Sequence, residues 1–178
     1  FGLLVIIAAG VWMVFGRKTQ IYEKTEEIFG NPLMGYAPCA WEETIGEDIS
    51  LLYMDITWAE LEPEEGKYAW IYDENYKKLI QGALDRGLKL CFRIYDNGQD
   101  NIRQGTPEYV RAAGAQGYEV EGQNNAKLWT PYADDPIFQQ KYEKFVAAFA
   151  KEYDNPDIVD FIDGHSLGWW GEGLPLIH

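Results

Sequence analysis

From residue 31 onward, short apolar runs alternate with stretches in which apolar positions recur every three to four residues. The runs at 33–37, 49–56, 88–95 and 158–162 are almost continuously apolar, the pattern of strands covered on both faces. Tyr76, Leu79, Ile80, Ala83 and Leu84 fall on one face of a helix. Asp73 or Glu74 stands near its start, where a carboxylate suits the helix dipole, and Gly87 supplies a left-handed stop. A longer helix has Asp135 as N-cap and Pro136 in its first turn, with Phe138, Tyr142, Phe145, Val146, Phe149 and Tyr153 along its apolar face. Asn155-Pro156 ends it before the fourth run. Strand and helix patterns in alternation predict βα units and a parallel sheet. The long segment between Tyr95 and Asp135 shows only a short helical stretch near 107–113. Long loops in compact domains are usually functional or disordered. This one follows a strand, so it is expected over the C-terminal ends of the strands, bringing Trp129 near Trp58 or Trp169.

Ahead of these units the pattern changes. Residues 1–15 are almost wholly apolar, and no charge occurs before Arg17-Lys18. A membrane-spanning helix needs about 20 apolar residues. A buried amphipathic helix would show a polar face, which this stretch lacks. Two readings stay open for residues 1–18, a signal peptide and an uncleaved signal anchor. Residues 19–30 are charged and polar and read as a spacer. The expectation is a hydrophobic N-terminal helix, contact with a membrane through it, and an extracytoplasmic location, anchored or secreted. The first residue is Phe and no closing element follows Leu174, so the chain reads as part of a longer protein.

Composition narrows the partners. The chain has 178 residues and a formal net charge of −14, which excludes nucleic acid, because phosphate binding needs clustered Lys and Arg. Seven Trp and twelve Tyr suit either a core or a ligand surface made of flat rings. Only two Cys and two His are present, with no C-x-x-C spacing, so neither a zinc site nor another cofactor is expected. Cys91 lies inside an apolar run and reads as a small buried hydrophobe, the alternative being a disulfide to Cys39. Asp96-Asn-Gly-Gln-Asp100 matches part of a calcium loop, but Pro107 stands where the twelfth-position Glu is required.

The most distinctive stretch begins at the end of the second apolar run. Trp58, Leu61, Glu62, Pro63, Gly66, Tyr68 and Trp70 resemble, in order and spacing, a segment that follows strand two in many clan A glycoside hydrolases, the family 42 beta-galactosidases among them. Gly168-Trp-Trp-Gly-Glu172 resembles a W-G-E motif after strand four in related, poorly characterised secreted bacterial barrels, which also open with a strand like Asn31 to Gly35. The Asn that often precedes the clan's acid is replaced by Gly171. The resemblance implies an α/β fold, the N-terminal half of a parallel (β/α)8 TIM barrel, with residues 31–178 supplying strands 1–4. A whole barrel typically needs about 250 residues.

What the resemblance implies for chemistry is cleavage of glycosidic bonds in a carbohydrate substrate. Such cleavage commonly needs two carboxyl groups, one of them a proton donor with a raised pKa. Glu172 falls at the donor's position, with Trp169 and Trp170 as its apolar wall. The nucleophile would lie on a later strand, so this stretch alone is expected to be inactive. Glu60 and Glu62 read as architectural. Arg93, a charge inside an apolar strand, needs a carboxylate partner such as Asp55, and serves either as an internal ion pair or as a substrate clamp. Asp96 and His165 follow strand ends, and Trp58, Trp129, Trp169 and Trp170 are candidates for stacking on sugar rings. The competing class is a non-catalytic glycan-binding or scaffold protein, because fold alone does not choose.

Overall fold

In the computed structural model, residues 37–40, 49–97 and 102–164 are described. They form β1 (Leu51–Thr57), α1 (Trp58–Leu61), α2 (Ala69–Tyr72), α3 (Glu74–Asp85), β2 (Lys89–Tyr95), α4 (Glu108–Ala112), β3 (Gly117–Glu121), β4 (Lys127–Pro131), α5 (Pro136–Tyr153) and β5 (Val159–Asp163). β1, β2 and β5 pair in that order, all parallel, with Asp55 opposite Arg93 and Arg93 opposite Asp163. The second, third and fourth apolar runs thus become parallel strands, and the two patterned helices become α3 and α5. The first run falls almost wholly outside the described residues, although Cys39 bridges Tyr53 in parallel.

The sheet is two-faced. Leu52, Met54, Ile56, Leu90, Phe92 and Ile94 alternate onto one face and are buried in one core with Tyr76 and Ala83 of α3 and Phe138, Phe145, Phe149 and Tyr153 of α5. Asp73 caps α3 by accepting from the amides of Asn75 and Tyr76, and Asp135 caps α5 by accepting from those of Ile137 and Phe138. Gly87 adopts φ +76°, the left-handed turn after α3. A capped helix with one apolar stripe buries that stripe against the sheet, and most of its stability comes from that packing.

The barrel expectation is overturned. The described residues form two small open sheets, the parallel β1-β2-β5 unit and a separate antiparallel β3-β4 ribbon, and no closed barrel. Three twisted strands do not curl far enough to meet, since closure of a small barrel takes about eight. The segment after β2 is also not the irregular loop expected around its short helix. It holds the β3-β4 hairpin, turned by Gln123–Asn125, where Asn124 and Asn125 take φ of 57° and 58°. Asn tolerates that conformation better than most residues. The (β/α)8 fold class and the assignment to clan A glycoside hydrolases, family 42-like or W-G-E-type, are both withdrawn on this finding.

The membrane expectations are corrected as well. Among the described residues no helix is long and apolar enough to cross a membrane. The longest, α5, carries Lys141, Glu143, Lys144, Lys151 and Glu152, charges that suit a helix with one wet face. The stretch 1–18, on which the hydrophobic helix, the anchor and the extracytoplasmic location rested, lies outside the described residues. Those three assignments are not carried further.

Candidate functional site

The other face of the parallel sheet is polar. Tyr53, Asp55 and Thr57 of β1, Cys91, Arg93 and Tyr95 of β2, and Phe161 and Asp163 of β5 stand on it in register. Tyr53, Asp55, Arg93 and Asp163 are half-buried, and Phe161 is exposed. Arg93 takes the central place. Its Nε lies 3.4 Å from Asp163 Oδ2, and its guanidinium also donates to the Tyr53 hydroxyl. Asp55 stands directly across from Arg93 on β1. Arg93 thus stands between two carboxyls, paired with Asp163 and in register with the expected Asp55. Burial raises the Asp55 carboxyl above its ordinary range, against the opposing pull of Arg93 and Arg103. Burial likewise raises the Tyr53 hydroxyl.

At the C-terminal ends of β1 and β2, the strand-two motif has a clear structural use. Thr57 and Glu60 form a reciprocal capping box at the start of α1. Glu60 also accepts from Arg103 Nη1 at 2.6 Å, and Arg103 Nη2 donates to the Tyr95 hydroxyl at 2.9 Å. Glu62 is 2% exposed. It accepts from Trp58 Nε1, the Gly66 amide and the Tyr109 hydroxyl, each at 2.8 Å. The Trp58 ring is fully buried and meets Tyr142 and Phe145 at 5.2 and 5.4 Å. Trp58 therefore presents no face to a sugar in this fold. The motif knots α1 to α4 and α5 and so fixes the end of β1.

Trp129 is 6% exposed, on β4. Its backbone amide and carbonyl are bonded to the Gln104 side chain at 3.0 and 2.6 Å, and Arg111 lies 5.8 Å from its ring centroid. The segment after β2 does fold back over the strand ends, since Gly105 O accepts from the Ala59 amide and Thr106 Oγ1 donates to Asp96 O. Asp96 is fully buried beneath it rather than lining an open cleft. His165, Trp169, Trp170 and Glu172 lie outside the described residues. The Cys39–Cys91 disulfide does not form, and burial pushes the Cys91 thiol up to about 11. Among the described residues no group of three or more His, Cys, Asp or Glu is placed to hold a metal.

Among the hollows beside the sheet, two stand near its strand ends. One, of about 480 Å³, opens at the end of β1 between Ile56, Glu60, Tyr72, Asp73 and Tyr76. Its polar groups serve the fold, with Glu60 in the capping box, Asp73 capping α3, and Tyr76 sharing a 3.0 Å hydrogen bond with Tyr153. The other, of about 310 Å³, is apolar and lies between α5 and β5, lined by Phe145, Val146, Phe149 and Ile162. Among the described residues, the tyrosine-carboxyl-guanidinium row on the polar sheet face brings several half-buried polar groups together. Sequence reasoning found Arg93 there but missed Tyr53 and Asp163 as its neighbours. The period-two position of Tyr53 relative to Asp55 was the available signal. No protein-family model matches the chain, and no curated protein matches it.

Proposed function

We propose that the protein binds a glycan across the polar face of the β1-β2-β5 sheet and hydrolyses a glycosidic bond with acid/base assistance. The observation that carries this reading is the row Tyr53, Asp55, Arg93 and Asp163 on the face that the described helices leave uncovered. Carboxylates and a guanidinium in one plane offer paired acceptors and donors to the vicinal hydroxyls of a sugar. A phenol ring beside them offers an apolar plane to its C–H face. The charge of −14 argues against polyanionic partners and leaves neutral or cationic glycans.

In this reading Glu172 is the proton donor. Its carboxyl gives a proton to the glycosidic oxygen as the bond from that oxygen to the anomeric carbon breaks. Water then supplies hydroxide to the anomeric carbon, and its remaining proton goes to a second carboxylate. Arg93 holds the sugar rather than reacting with it. A second reading, glycan binding without cleavage, is favoured by one observation: Glu60 and Glu62 are both committed to internal hydrogen bonds, and Asp55 and Asp163 both face Arg93.

The experiment is incubation of the full-length protein with a panel of oligosaccharides, reading new reducing ends and, separately, binding. Release by the parent, lost about 10²–10⁴-fold in Glu172→Gln with binding retained, is the expected result. Binding with no release by the parent selects the second reading. Neither binding nor release on any glycan overturns both.

A further inference from the structure

Residues 102–106 run as a strap across α1, the end of β2 and the middle of β4. Arg103 is bonded to Glu60 and Tyr95, Gln104 to both backbone groups of Trp129, Gly105 to the Ala59 amide, and Thr106 to the Asp96 carbonyl. The fit is tight at Gly105, where a Cβ would stand 2.3 Å from the Asp96 carbonyl carbon. Under the strap, the Asp96 side chain has no exposed surface, and among the described residues neither carboxyl oxygen has a hydrogen-bond partner. An isolated carboxylate in such a place is costly, whereas the neutral acid is tolerated.

We propose that Asp96 is a protonated latch: the strap of residues 102–106 closes over the neutral carboxyl, and loss of that proton loosens the strap from the C-terminal edge of the sheet. Among the described residues, the groups around Asp96 supply no cation paired with its carboxyl. From β3 comes Tyr118, a neutral phenol whose own ionisation is disfavoured by burial and then by Asp96. Tyr132 of the same ribbon packs on Tyr118 at 5.3 Å. From β4 comes Thr130, uncharged, which reaches Asn97 at 3.4 Å. From β2 comes Tyr95, and from the strap Arg103, whose guanidinium is turned to Glu60 and Tyr95. Burial holds Asp96 up to about 8.

The sign follows from linkage. In the open strap the carboxyl meets water and titrates near its ordinary value of 3.8, while in the closed strap it keeps its proton to about 8. Between those values the open form has lost a proton that the closed form retains. Opening therefore becomes easier by about tenfold per pH unit as pH rises, and levels off above about 8. The latch is tightest in acid.

Hydrogen exchange by NMR reads this directly, because the Ala59 amide is bonded to Gly105 O and the Trp129 amide to the Gln104 side chain. After correction for intrinsic exchange, protection at Ala59 and Trp129 is expected to fall about tenfold per pH unit from about pH 5 to 8. Amides of the β1-β2 ladder should stay more protected throughout, and Asp96→Asn should make the two reporters independent of pH. Protection that does not change with pH, an Asp96→Asn variant that follows the parent, or a β1-β2 ladder that opens in step with the reporters would each overturn the proposal. Should Asp96→Asn fail to fold, the side-chain carboxyl carbons of the parent decide. One of them titrating near the same pH as the reporters supports the latch, and every carboxyl already ionised by about pH 6 overturns it.

Discussion

Replacing Glu62 by Gln would strike the point where the strand-two motif is tied to the rest of the chain. Oε2 of Glu62 accepts from Trp58 Nε1 and the Tyr109 hydroxyl, and Oε1 accepts from the Gly66 amide. Gln has the same shape but turns one oxygen into a donor. If the new NH2 faces Trp58, two N–H groups oppose each other in the core, because the indole nitrogen cannot accept. If it faces Gly66, the clash moves to a backbone amide. Hydrogen bonds to charged groups contribute about 1.5–3 kcal/mol each, and a buried donor left unpaired costs about 1–3 kcal/mol. One bond lost and one donor stranded, partly relieved by rotation of the Tyr109 hydroxyl, gives a loss of about 2–4 kcal/mol. For a chain of this size that corresponds to a Tm lower by roughly 5–15 °C. Glu62→Ala, which strands Trp58, Tyr109 and Gly66 together and leaves a cavity, should cost at least as much. Thermal melts followed by circular dichroism measure both. A Glu62→Gln variant melting within about 1 °C of the parent would refute the assignment of Glu62 as the acceptor that knots α1 to α4.

Other expectations rest on separate contacts. Tyr76→Phe removes the buried hydroxyl pair with Tyr153 and should cost about 1 kcal/mol, measured by urea unfolding. Asp135→Ala removes acceptors for the Ile137 and Phe138 amides and for that of Gln116, and should cost about 1–2 kcal/mol with fraying at the start of α5 by NMR. Gly105→Ala places a methyl against the Asp96 backbone and should destabilise by about 1–3 kcal/mol, with the largest amide shifts in the strap and β4. Cys91, buried and with its thiol raised to about 11, should stay unlabelled by a thiol reagent at mildly alkaline pH until the protein unfolds, while half-exposed Cys39 reacts in the folded state.

The parts of the fold legible in the sequence are those set by local pattern. The apolar stripes and caps of α3 and α5, and the three continuous strands β1, β2 and β5, follow from residue periodicity and from Asp73, Gly87 and Asp135. The β3-β4 hairpin was not legible as strand, because Gly117–Glu121 and Lys127–Pro131 are short and interrupt their apolar positions with polar ones. Gly122 and Asn124-Asn125 were its turn signals. Barrel closure is a property of how many strands pair and how they shear, which no run of βα units specifies. The site was half legible. An Arg inside an apolar strand announces a partner, but Asp163 lies on a strand 70 positions further along, and nothing local distinguishes it from Asp160. The burial of Trp58 and Trp129 was equally invisible, since a Trp at a strand end serves core or ligand alike until its neighbours are known.

The binding face itself is open to direct test. Titration of the isotopically labelled full-length protein with an oligosaccharide that it binds, followed through backbone and side-chain resonances, maps the contact. The expected result is a cluster of shifts at Tyr53, Asp55, Arg93, Phe161 and Asp163, with the Arg93 guanidinium among the largest, and loss of that binding in Arg93→Ala. Shifts confined to the helices α3 and α5 or to the β3-β4 ribbon, or undiminished binding by a folded Arg93→Ala variant, would contradict the polar sheet face as the glycan site.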